Sequence, residues 1–372
     1  MWLTVELQLN CPTYRPVIAF KHNNIVVAFL RNYQPAQNLA SPDQQISTAR
    51  MTRGPRFVSL FVQDRISPVS RAAFLLTLTL AAIALVFSLA AKLAFAALPN
   101  IAPLLLSVVV LDVVSQFAPQ TRNVRAVQTI LYGVLFLVVT CFCGVLAAYA
   151  TQRLALPLQD RLFSNADAAI GVNWFDIVYW VDGHPLIHGI LKLAYDSMAV
   201  QIALPLVILA FANRLNEVRI YLLAFALALT ITTIIAALMP AASPIALVDP
   251  ASFSIMRFTG ATPLGHFTHL RAAAPMILNE LPGGIITFPS FHASVAILTS
   301  LSLRRYRRLF LALLVLNAAL LCGAVTEGAH YVSDVLAGIG VAFFAYLLAM
   351  RIVRAEDHSL HCRRGQLGPH GS

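Results

Sequence analysis

From residue 72 onwards, long apolar runs broken by short polar connections dominate this chain. A helix crossing a bilayer needs about 20 predominantly apolar residues to span the hydrocarbon layer. Eight runs approach that length: 73–98, 101–117, 126–150, 187–212, 220–240, 287–303, 308–326 and 330–350. The second is short and carries Asp112; Pro99 and Pro103 mark a tight turn before it. There is no heptad seam, internal repeat or separate soluble domain. The pattern predicts an all-α fold, a polytopic membrane bundle of about eight transmembrane helices.

Composition agrees. The 372 residues are 59% hydrophobic and 11% charged, where a soluble domain carries about a quarter charged residues. The mean hydropathy is +0.75. The net charge of +10 is almost all arginine, and it falls between the apolar runs. No basic domain stands apart from them, so nucleic acid is not an expected partner. The cysteines show no zinc spacing, and Cys141, Cys143 and Cys322 lie within apolar runs as small packing residues.

The arginines orient the bundle. They cluster before the first run, around Arg122, around Arg214, in "LRRYRR" at 303–308, and after the eighth run. With eight crossings, all these connections share one face. The positive-inside rule makes that face cytoplasmic, together with both termini. The expected location is the inner (plasma) membrane. The opposite face then holds 151–186, 241–286 and the turn "VTEGAH". The first of these carries Asp160, Asp167, Asp176 and Asp182, with Trp174 and Trp180. Such aromatics favour the headgroup zone, so part of it is expected to lie flat on the outer surface. Residues 1–71 read as a poorly ordered cytoplasmic extension, and Met51 offers an alternative start. The first apolar run begins too late for a cleavable signal peptide.

Two polar interruptions on the outer face carry candidate chemistry. In "ITFPSFHAS" (286–294), Pro289 suits the first turn of a helix. The free backbone N–H groups of Ser290, Phe291 and His292 and the helix dipole then make a seat for an anion such as phosphate. In "HYVSD", His330 and Asp334 stand four apart, on one face of a helix. A carboxylate on one imidazole nitrogen fixes the tautomer and leaves the other as nucleophile or base. Alone, each motif could be a packing histidine or a helix-end hydrogen bond. Together, on one face of the bundle, they point to a site.

"PSFH" followed some forty residues later by "GAHYVSDVLAG" resembles the type 2 phosphatidic acid phosphatase superfamily. "GGIITFPSFHAS" with "HYVSDVLAG" is most similar to the branch containing the inositol phosphorylceramide synthases. The resemblance covers residues 126–350 and implies a six-helix core, 126–353. The helices in 72–125 would be additions and 354–372 a cytoplasmic tail. It implies His330 as the nucleophile that takes the phosphoryl group, Asp334 as its orienting partner and His292 as the general acid. Ser290, Phe291 and neighbouring N–H groups would hold the phosphate oxygens. No metal or cofactor is implied. The expected substrate is a lipid phosphate in the bilayer, and the reaction a hydrolysis or an inositolphosphotransferase-like transfer.

The chain departs from the superfamily pattern at its cations. Leu264 stands where the first motif has lysine, Ala272 where it has proline, and Ala324 where the third motif has arginine. Arg271 is left as the candidate phosphate cation, with His266 or His269 nearby. The i, i+3 spacing of those histidines could also suit a metal, but no acidic partner follows at ligand spacing. Glu327 reads either as a solvated helix-start acid or as a contact to an acceptor hydroxyl. Asp196 and Gln201 are intramembrane polar groups, and Asp196 can pair with Lys192. The competing reading is a transporter or scaffold with structural histidines, although inverted repeats are not visible.

Overall fold

A computed structural model describes residues 121–249 and 283–366 continuously. It also describes 68–90, 252–254, 256, 261–272, five short strands and isolated positions between 103 and 119. The chain divides into two units, Met1–Gly54 and Pro55–Ser372. In the first, β1 (Leu3–Glu6), β2 (Tyr14–Lys21) and β3 (Asn24–Arg31) form an antiparallel sheet in that order. The rest of the expected extension 1–71, apart from the helix start at Pro68, lies outside the described residues, as does most of the second predicted helix, 101–117.

The second unit is helical, apart from a short parallel pairing of β4 (Leu93–Phe95) with β5 (Met276–Leu278). Its helices are α1 (Pro68–Ala90), α2 (Arg122–Thr151), α3 (Asp160–Ala169), α4 (Trp174–Asp182), α5 (Pro185–Asp196) and α6 (Met198–Phe211). They continue as α7 (Leu215–Leu238), α8 (Ala261–Arg271), α9 (Phe291–Ser302), α10 (Arg307–Thr326) and α11 (Val332–Gln366). Four of them, α2, α7, α10 and α11, are long and apolar enough to cross a membrane. The pair α5–α6 makes a fifth candidate, bent by 47° at Ser197. The predicted run 187–212 is therefore two helices bent at Ser197 rather than one straight helix.

Helix α7 is apolar all round, as a helix buried on every side should be. Tyr221, Leu223, Ala224 and Phe225 on it are fully buried. It packs against α1, α2, α9 and α11. Helix α9 has only 12 residues, about 18 Å at 1.5 Å per residue, against about 30 Å for hydrocarbon. It lies among α6, α7, α10 and α11 rather than facing lipid. Protein surroundings satisfy the irregular backbone that precedes it.

The outer connection 151–186 is tied down by carboxylates that accept backbone N–H groups. Asp160 accepts hydrogen bonds from the Ala242 and Ser243 N–H groups at 2.9 and 3.1 Å. Asp182 takes those of Ser254 and Met256, both at 2.8 Å. Trp174 is not a headgroup anchor. It is 4% exposed, and its Nε1–H donates to the Val325 carbonyl at 2.9 Å. Trp180 is exposed, as expected of an interfacial residue.

Candidate active site

Helix α9 opens two residues later than the sequence suggests. Ser290 is the N-cap, with extended backbone, and its Oγ accepts the Ala293 N–H at 3.3 Å. A serine cap is worth about 1 kcal/mol. Pro289 therefore precedes the cap instead of occupying the first turn, because the serine offers the capping oxygen that proline lacks. Ser290 is fully buried. Its hydroxyl oxygen is committed to the cap, and its N–H donates to the Asp334 carbonyl at 2.9 Å. Phe291 turns its ring into the core, edge-on to Phe225. With the Ser290 N–H and Oγ both engaged, a phosphate contact here falls to the backbone N–H groups of Phe291 and His292.

His292, on the first turn of α9, stacks on Tyr195 with centroids 4.7 Å apart and planes 20° from parallel. Its ring lies edge-to-face with His330 at 5.8 Å. Two motifs some forty residues apart thus meet. The chain after α10 folds back to allow it: the Glu327 N–H bonds to the Gly323 carbonyl at 2.7 Å and the His330 N–H to the Ala324 carbonyl at 3.1 Å.

His330 precedes α11 and is 3% exposed. Its Nδ1 stands 2.9 Å from the Thr287 carbonyl and 3.4 Å from Asp334 Oδ2. A carbonyl only accepts, so Nδ1 carries the proton and Nε2 holds the free lone pair. Burial pushes the imidazole pKa down to about 4, against the opposing effect of the Thr287 hydrogen bond. The ring is neutral at neutral pH. Asp334 is fully buried, and its Oδ2 also accepts the Tyr331 N–H at 2.9 Å. The sequence reading of a His–Asp pair finds its residues, but the nearer partner of Nδ1 is Thr287.

The end of α11 that carries this pair is capped from outside. Asp167 on α3 accepts the Val332 and Ser333 N–H groups at 2.8 and 2.7 Å. Asp160 also accepts the Tyr331 hydroxyl at 3.1 Å. The sequence places these acids in the outer-face segment 151–186; Asp160 and Asp167 lock the loop that holds His330.

Arg271 ends α8. Its Nη2 donates to the Leu156 carbonyl at 2.7 Å, and its guanidinium lies 5.3 Å from the Phe267 centroid. Nη1 is buried without a hydrogen-bond partner. Burial lowers its pKa, and the Asp160 charge acts in the opposite sense. Its charge is felt at Asp160, which accepts the hydroxyl of Tyr331, the residue after His330. His266 Nδ1 pairs with the Tyr149 hydroxyl at 3.0 Å, whereas His269 is exposed. Leu264, in the lysine's place, packs against apolar neighbours. Ala324, in the arginine's place, is fully buried.

Asp196 pairs with Lys192 at 2.8 Å on the half-exposed side of α5, as the sequence allowed. Glu327 is not a solvated helix-start residue. It caps the end of α10 and is fully buried.

No curated protein and no solved structure matches the chain. The PAP2 superfamily matches it over residues 161–348, a stretch holding both histidine motifs, Asp334 and Arg271. That stretch is half of the 372 residues. On that match, the chain belongs to the PAP2 superfamily, a membership that points to a phosphatase or phosphotransferase-type membrane protein.

Proposed function

We propose that this protein is a membrane lipid-phosphate phosphatase or phosphotransferase that works through a phosphohistidine at His330. One observation carries the reading: Nδ1 of a buried, neutral His330 is held by the Thr287 carbonyl and Asp334, leaving Nε2 as the nucleophile, with His292 edge-on at 5.8 Å. In the first step Nε2 attacks phosphorus. An N–P bond forms, the P–O bond to the alcohol breaks, and His292 gives its proton to the leaving oxygen. In the second step water or an acceptor alcohol attacks. His292 takes that proton back, and the N–P electrons return to His330. Backbone N–H groups in the first turn of α9, with Arg271, supply the positive field for the phosphate oxygens.

In this reading the chain crosses the membrane eight times. α9 and the two helices of 72–125 join the long spans, both termini are cytoplasmic, and the site faces outward. The arginine distribution supports that orientation. The substrate has an oily tail in the bilayer and its phosphate at the outer interface. The similarity of "GGIITFPSFHAS" and "HYVSDVLAG" to the inositol phosphorylceramide synthase branch favours transfer over hydrolysis.

The test is phosphate release from a panel of lipid phosphates by purified protein, beside His330→Ala. Rapid acid-free quenching of wild type should trap a base-stable, acid-labile label that the variant lacks. Equal turnover by both proteins would remove His330 from the mechanism.

A further inference from the structure

Among the described buried carboxylates, Glu327 behaves unlike its neighbours. Asp167 and Asp182 each accept two backbone N–H groups. Glu327 is fully buried, and neither of its carboxylate oxygens accepts a hydrogen bond. His188 Nε2 on α5 stands 3.2 Å from Oε1, within ion-pair reach but off line for a hydrogen bond. Burying a carboxylate without hydrogen bonds is costly. Burial pushes the Glu327 pKa up, with His188 and Lys192 opposing the shift and Asp196 adding to it.

The pair adjoins the histidines. At Gly328, the next residue, a Cβ would stand 3.1 Å from both Tyr195 Cε2 and His330 Cδ2. Gly328 is thus wedged between the two rings, and Tyr195 in turn stacks on His292. The same Cβ would stand 2.7 Å from the Ala324 carbonyl, so a side chain at 328 would force the backbone to shift.

Resting on the reading above, we propose that Glu327 and His188 form a polyol subsite that takes the hydroxyl groups of the alcohol attached to, or attacking, the phosphate. Hydroxyls donate to carboxylate oxygens, and two neighbouring hydroxyls can satisfy both oxygens at once. The negative carboxylate keeps the phosphate on the His330 side. Lys192 acts on this carboxylate as a fixed cation, so an ammonium headgroup would enter beside a like charge.

Binding tests this without turnover. Ligand-induced shifts in thermal unfolding midpoint give dissociation constants in detergent micelles for phosphatidylinositol, phosphatidic acid and phosphatidylethanolamine. Wild type is expected to bind phosphatidylinositol about tenfold more tightly than the other two, the scale of one or two charge-assisted hydrogen bonds. In Glu327→Gln, and in His188→Gln, that ratio falls towards one. Free glycerol separates the two sources: competition against phosphatidylinositol binding, with glycerol phosphate formed from a lipid donor, marks an acceptor site. Competition alone marks a headgroup site. A wild-type ratio of one, an unchanged ratio in both variants, or equal preference for phosphatidylethanolamine overturns the proposal. Loss of the histidine label with the ratio intact would instead remove the phosphohistidine reading and leave the subsite.

Discussion

Gly338 on α11 presses against the Ser290 carbonyl at the head of α9, so closely that a Cβ there would overlap that oxygen. Two further bonds lock the same contact: Ser290 N–H to the Asp334 carbonyl at 2.9 Å and Ser294 Oγ to the Gly338 carbonyl at 2.8 Å. Close approach of these helices sets the distance between His292 and His330. Gly338→Ala should push them apart and lower kcat roughly 100-fold, the cost of about 1 Å of misplacement. Gly340→Ala, where an added Cβ meets nothing within 4 Å, should retain wild-type turnover. Steady-state kinetics on the two variants decide the point.

The pH profile should carry the signature of a neutral nucleophile. His330 titrates at about 4 in the folded protein, below the usual 6.5 or so. Protonation fills the Nε2 lone pair, so kcat/KM should fall as pH drops through about 4 and show no His330 limb near neutrality. The sign for stability is the same. The unfolded chain takes up this proton at higher pH than the folded one, so acidification below the unfolded value favours unfolding. A nucleophile limb near pH 6.5 would mean that His330 is hydrated rather than buried in the working enzyme.

Asp167 holds the start of α11 by two charge-assisted bonds to Val332 and Ser333. Asp167→Ala removes both, along with a favourable charge at a helix N-terminus, and should cost about 2–4 kcal/mol. Asp176, exposed on α4, provides the comparison: Asp176→Ala should stay within about 0.5 kcal/mol of wild type. Thermal unfolding in one detergent measures both.

Arg271 has one guanidinium nitrogen committed to the Leu156 carbonyl and another buried without a partner. If that second nitrogen serves the phosphate, Arg271→Ala should raise KM for a lipid phosphate about ten- to hundredfold. Arg271→Lys keeps the charge but cannot serve both partners, so it should fall between. A drop in unfolding midpoint with KM unchanged would assign Arg271 to holding 152–156 in place.

The sequence was most legible where chemistry left side-chain signatures. Pro289, Ser290, His292, His330 and Asp334 mark the site, and hydropathy locates α2, α7 and α10 within about five residues and the start of α11, which runs on to Gln366. The Thr287 carbonyl was not legible, because a main-chain acceptor has no signature. The roles of Asp160, Asp167 and Asp182 depend on backbone N–H groups up to 166 residues away, which no local pattern encodes. Glu327 was misread because its neighbours fit a helix start, whereas the chain is finishing α10 and folding back. The bend at Ser197 was hidden because hydropathy runs unbroken across it.

Membrane orientation gives the broadest remaining prediction. The segment before α9 and the turn 303–306 lie at opposite ends of that helix, so they should be exposed on opposite faces. Gly283 and Arg305 are both exposed and suit cysteine substitution. In a background lacking the native cysteines, a membrane-impermeant thiol reagent added to intact cells should label Gly283→Cys. It should reach Arg305→Cys only after permeabilisation. The positive-inside rule sets this expectation through Arg304, Arg305, Arg307 and Arg308, which crowd the second position. The reverse labelling would invert the bundle and put His292 and His330 on the cytoplasmic face, where the phosphate substrate would have to come from the inner leaflet.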